Sequence, residues 1–114
     1  MITIYGIKNC DTMKKAFTWL DGRKLAYTFH DYKKQGVDRV HLTEWCKKAG
    51  WKALVNTRGT TWRKLTAEQQ AVSTQAGAIA LMVKNPSLIK RPVVEAGEQL
   101  LIGLDVAEYA KVLK

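Results

Sequence analysis

Hydrophobic positions change their period along this chain, and each change marks an element. Residues 2–5 read as a short apolar strand. Met13, Ala16, Phe17 and Leu20 then fall at i, i+3, i+4 and i+7, one face of a helix over 11–20 that Asp21-Gly22 ends. Residues 26–31 alternate, with Tyr27 and Phe29 on one face and Thr28 and His30 on the other, which predicts a second strand. A turn over 33–36 leads to a helix over 38–49, stopped by Gly50. Residues 51–61 show no period and read as irregular, and Thr66 to Gln69 fits a capping box. The apolar run 75–84 predicts a buried helix ended by Asn85-Pro86. Residues 93–95 and 100–102, separated by a turn at Ala96-Gly97, predict an antiparallel hairpin, and Asp105 is placed to cap a last helix running to the C-terminus.

The order is strand–helix–strand, a helical insert, then strand–strand–helix. A β-α-β unit this short implies a parallel pair with a right-handed crossover, and the closing hairpin adds antiparallel strands. The expected fold is therefore α/β: a mixed four-stranded sheet with helices on its faces, in the thioredoxin-like arrangement. The core is expected over about 1–36 and 88–114, and the helical insert over about 37–87, all within one domain of 114 residues.

Composition narrows the classes. Hydrophobic residues make up 46% and charged residues 25%, as in an ordinary soluble domain. No apolar run reaches the ~20 residues of a membrane span, and no basic segment followed by an apolar one opens the chain as a secretory signal would. Two cysteines without an export signal point to a reducing cytoplasm rather than a disulfide scaffold. The net charge of +9 is uneven: residues 1–91 hold 17 Lys/Arg against 6 Asp/Glu, whereas residues 92–114 hold 2 against 4. That field favours anionic partners. The basic pairs are dispersed, and no helix-turn-helix or basic aromatic-interleaved stripe is present, so direct nucleic-acid binding is not expected.

The residue with the most chemistry is Cys10, set where the first strand passes through Gly6-Ile7-Lys8-Asn9 into the helix starting at Asp11. Unpaired backbone N–H groups and the positive end of the helix dipole meet there, and both favour thiolate over thiol. Lys8, Lys14 and Lys15 push the same way. The stretch Cys10-Asp11-Thr12-Met13 has no resolving cysteine, so a single-thiol mechanism needs an external thiol, and glutathione is the natural one. Cys46, beside Trp45, reads as a core cysteine. His30 and His41 lack neighbours at metal spacing, so no metal site is expected. The tryptophans at 19, 45, 51 and 62 read as packing residues, although Trp19 falls off the apolar stripe.

With Gly6-Ile7-Lys8-Asn9-Cys10, Asn56-Thr57-Arg58-Gly59 and Arg91-Pro92-Val93-Val94 in this order, the chain resembles the ArsC-like family over essentially its whole length. That group holds glutaredoxin-coupled arsenate reductases, Spx-type transcriptional regulators and small thiol reductases of the YffB type. The resemblance implies Cys10 as nucleophile, a cis Pro92 facing it, and Arg58 and Arg91 as anion-binding arginines. The arsenate reductases carry a third arginine on the strand after the hairpin turn, where residues 97–103 here hold no basic residue. Many Spx-type regulators use a Cys-x-x-Cys switch, and Met13 stands at its second position.

These implications favour a glutathione-dependent thiol/disulfide reductase of the YffB type. It would bind no resident cofactor, use glutathione as co-substrate and work as a monomer on a disulfide or small oxyanion, with glutaredoxin as a further partner. Lys8, Arg58 and Arg91 would steady the thiolate and hold carboxylates or an oxyanion, while Asn9 and Thr12 would hydrogen-bond the sulfur or the bound anion. Arsenate reduction and an Spx-like regulator binding RNA polymerase are the alternatives.

Overall fold

The computed structural model describes residues 2–8 and 10–113. They form two compact units, one running through Gln35 and resuming at Arg91, the other spanning Gly36–Lys90.

The first unit holds β1 (Ile2–Gly6), α1 (Asp11–Gly22), β2 (Thr28–Asp31), α2 (Tyr32–Gln35) and, after the insertion, two further strands and a last helix. The strands of the described residues make one mixed sheet in the order β2-β1-β3-β4, with β3 (Val93–Ala96) and β4 (Gln99–Ile102). β1 runs parallel to β2, with Ile4 opposite Phe29, and antiparallel to β3, with Ile4 opposite Val94. β3 pairs antiparallel with β4, Val94 opposite Leu101. The two-residue period puts Ile4, Val94 and Leu101 on one face. They close a core with Met13, Ala16 and Leu20 of α1 and with Tyr109 and Leu113 at the end of the chain. The last helix, Val106–Val112, starts where the Asp105 carboxylate accepts the Glu108 N–H at 3.1 Å, as its cap chemistry predicts. Tyr109 donates its hydroxyl to the Gly103 carbonyl at 2.7 Å, which satisfies its polar end within the core.

Trp19, off the stripe in the sequence, sets its ring edge-on to Tyr109 at 5.5 Å, with the Arg23 guanidinium 4.9 Å over its own face. The last helix lies beside this flank of α1, so the apolar surface of α1 is wider than its central stripe. Gly6 ends β1 where Met13 fills the space behind it: a Cβ there would collide with Met13 Sδ and Cε. Gly6→Ala should therefore lower stability by about 1–3 kcal/mol through overpacking. A urea melt would show a lower midpoint at unchanged slope, and an unchanged midpoint would mean that Met13 moves aside at no cost.

The second unit carries α3 (Arg39–Ala49), α4 (Trp51–Leu54), α5 (Thr60–Arg63), α6 (Ala67–Gln70), α7 (Gln75–Lys84) and a 3-10 turn at Pro86–Leu88. Leu42, Trp45, Leu54, Ala78, Met82, Leu88 and Ile89 are fully buried in it. An isolated bridge between Val55 and Ile89, with Lys90 N–H on the Leu54 carbonyl at 2.7 Å, ties the end of α4 to the last segment of the unit.

Several expectations change at short elements. The stretch expected to be irregular over 51–61 contains α4 and the start of α5, because Gly50 at φ 85° ends α3 and lets the chain turn directly into a new helical turn. The turn expected over 33–36 is a single helical turn, Tyr32–Gln35, held by Lys33 N–H on Asp31 Oδ1 at 2.9 Å and by Asp31 N–H on Gln35 Oε1 at 3.3 Å. β2 starts at Thr28 rather than 26, because α1 extends through Gly22 and Leu25 still donates to the Leu20 carbonyl at 3.1 Å. Asp38 caps α3 from outside it, accepting the His41 N–H at 2.8 Å, and Thr66 and Gln69 make both halves of their capping box. The run 75–84 is a helix as expected, but only Ala78, Ile79 and Met82 in it are buried.

Candidate functional site

Cys10 is the N-cap of α1, in extended conformation (φ −127°, ψ 132°), with its carbonyl accepting the Lys14 N–H at 2.9 Å. The chain leaves β1, rounds a short loop and enters α1, so the sulfur stands against the first, unbonded amides of the helix. Partial burial is the largest single influence on the thiol and opposes its ionisation. The Met13 and Thr12 N–H groups, the Arg91 guanidinium and the Thr12 hydroxyl act the other way, and together they hold the thiol below its ordinary value. Cys10 is half-buried, which leaves the sulfur reachable.

Arg91 opens the segment leading into β3 and is half-buried. The Arg91-Pro92 peptide bond is cis, Pro92 is buried, and the Pro92 carbonyl accepts the Gly103 N–H at 2.8 Å. Arg91 is thus fixed at the end of a paired strand, where its charge reaches Cys10. On the sheet face away from the main core, Tyr5 donates to Glu95 Oε1 at 2.5 Å and its ring stacks on Tyr32 at 6.4 Å. Burial pushes the Tyr32 phenol far up, with Tyr5 and Glu95 adding to the shift and Arg91 opposing it.

Of the residues singled out from sequence, Cys10, Thr12 and Arg91 come together. Lys8 is exposed and lines a groove beside α1. Asn9 lies outside the described residues. Arg58 belongs to the other unit, where it is exposed. Its N–H donates to Asn56 Oδ1 at 3.1 Å, and its carbonyl accepts from Arg63 Nη2 at 3.2 Å. Cys46 is buried in that same unit, and burial pushes its thiol up. The two cysteines therefore face opposite chemistry. The unpaired N–H groups expected from the sequence at the start of α1 are those of Thr12 and Met13. Among the described residues no three His, Cys, Asp or Glu side chains group to hold a metal ion, and no helix is long and apolar enough to cross a membrane.

A mixed sheet with a cysteine at the N-terminus of its first helix and a cis-proline entering its third strand defines a thioredoxin-fold thiol protein. The chain belongs to the ArsC family, whose pattern spans residues 5–112. It is similar to the YFFB protein, whose solved structure matches with a TM-score of 0.97 at 53% identity, covering 100% of both chains. An arsenate reductase (ArsC) related protein from Brucella melitensis is 47% identical over 99% of this chain and 94% of that one, with a TM-score of 0.77. The global transcriptional regulator Spx of Streptococcus agalactiae is 26% identical over 110 residues, 95% of this chain and 80% of the regulator.

Proposed function

We propose that this ArsC-family protein is a glutathione-dependent thiol/disulfide reductase with Cys10 as its single nucleophile. The observation that carries the reading is the Cys10 sulfur, half-buried at the start of α1, with the Met13 and Thr12 amides and the Arg91 charge outweighing its burial. The Cys10 thiolate attacks the glutathionyl sulfur of a mixed disulfide. The S–S bond breaks, the substrate leaves as a thiolate that takes a proton from solvent, and Cys10 becomes glutathionylated. A second glutathione thiolate then attacks the glutathionyl sulfur on Cys10, releasing oxidised glutathione and restoring the Cys10 thiolate. The substrate disulfide gains two electrons and the glutathione pair loses two. Met13 stands where a resolving cysteine would, so the external thiol is required for turnover.

Arg91 steadies the thiolate and grips a carboxylate of glutathione, and Thr12 hydrogen-bonds the sulfur. Lys8 and Arg58 are further anion-binding candidates, as is Asn9. Arg91→Ala should lower kcat/KM for a glutathionylated peptide about ten- to a hundredfold, the loss of one charge-assisted contact of ~1.5–3 kcal/mol. Unchanged kcat/KM in that variant would remove Arg91 from the site.

Arsenate reduction is the second reading, favoured by the 47% identical arsenate reductase-related protein. Residues Gln99–Ile102 of β4 supply no cation. Glutathione-supported release of arsenite from arsenate, absent in Cys10→Ser, would establish it.

A further inference from the structure

A groove of about 620 Å³ lies between α1, the edge strand β2 and α2, within the range of small-molecule sites. Its wall is aromatic and already organised: Phe17 stacks on Tyr27 at 5.7 Å and meets Phe29 edge-on at 5.1 Å. Three cations, Lys8, Lys14 and Lys34, border this wall, all exposed and none in an ion pair among the described residues. Each of the two carboxylates of the lining has one oxygen engaged. Asp21 accepts the Tyr27 hydroxyl at 3.2 Å, and the buried Asp31 accepts the Lys33 N–H at 2.9 Å. Gln35 uses its carbonyl oxygen on the Asp31 N–H, which leaves its NH2 group as a donor.

We propose that this groove binds a nucleoside monophosphate. Unpaired lysines match a phosphate, the Phe17–Tyr27–Phe29 wall matches a planar base, and the second oxygens of Asp21 and Asp31 can accept from exocyclic amino or ribose hydroxyl groups. A simple anion would leave the aromatic wall unused, and an uncharged ring would leave the lysines unused. The site goes beyond the thiol chemistry: Cys10 is not part of the lining, and Lys8 is the one residue that it shares with the anion-binding candidates of the thiol site.

The test is an amide-resolved NMR titration of the full chain with adenosine 5′-monophosphate, compared at matched ionic strength with adenosine and with ribose 5-phosphate. The proposal expects saturable shifts at Lys14, Phe17, Phe29 and Lys34, with both fragments binding at least about tenfold more weakly than the nucleotide. Lys34→Ala should weaken the nucleotide at least about threefold, and Cys10→Ser should bind it as the unaltered protein does. Ribose 5-phosphate binding as tightly as the nucleotide, shifts confined to other surfaces, no saturation, or full affinity in Lys34→Ala would each overturn it.

Discussion

Cys10→Ser should lose at least about a thousandfold in glutathione-dependent disulfide reduction while folding as stably as the unaltered chain. A serine hydroxyl in the same place would face the same Met13 and Thr12 amides, but it does not ionise near neutral pH and forms no mixed disulfide. Stability should not fall. Cys10 is half-buried at the N-cap of α1, and serine is among the preferred N-cap residues. The expected change is therefore between zero and a gain of about 1 kcal/mol. Activity and stability are to be read on the same preparation, by turnover of a glutathionylated peptide and by urea melt. Full turnover in the serine variant would overturn the mechanism, and loss of folding would mean that Cys10 serves the packing of α1.

The largest effect on stability is expected from Trp45→Ala. Trp45 is 0% exposed, among the largest buried side chains in the molecule, and its ring meets His41 edge-on at 6.0 Å within α3. Its removal leaves a cavity too large for the surrounding buried side chains to fill without moving, and the expected cost is about 3–5 kcal/mol. Against a total stability of about 5–15 kcal/mol for a domain, that loss is a large fraction. A urea melt of the variant should show the midpoint collapse accordingly, and a cost below about 1 kcal/mol would mean that Trp45 is not a packing centre.

The parts of the fold legible in the sequence were those fixed by local chemistry repeated over enough residues. The Met13–Ala16–Leu20 spacing, the Thr66–Gln69 box, the Asp105 cap and the 93–102 hairpin each follow from a few neighbouring residues, and the structure bears them out, with the hairpin turn at Gly97-Glu98 one residue on from the expected Ala96-Gly97 because Ala96 still pairs with Gln99. The one-turn helices Tyr32–Gln35 and Trp51–Leu54 were not legible, because four residues are too few to display a helical period. The candidate site shows the same division. The strand-to-helix placement of Cys10 could be read directly, since both flanking elements were predicted. That Arg91 reaches Cys10 depends on β1 pairing with β3, which no local pattern encodes, and it was expected only through the thioredoxin-like arrangement and the family resemblance. The lysine-bordered groove was hidden for the same reason. Lys14 and Lys34 are brought to one cavity by α1 and by the elements that follow it, while in the sequence Lys14 read only as a basic neighbour of Cys10 and Lys34 as half of one of the dispersed basic pairs.

The central claim is an activated Cys10 thiolate that exchanges with glutathione. Oxidised glutathione should be added across pH 5 to 9 and the adduct located by intact mass and peptide mapping. The ionised fraction falls as pH drops through the thiol's own pKa, so a lowered value displaces that fall to more acidic pH. The account predicts rapid mixed-disulfide formation at Cys10 that persists below the ~8.5 of a free thiol, with buried Cys46 left unmodified. Slow modification of Cys10 that tracks an ordinary thiol, or an adduct at Cys46 first, would contradict it.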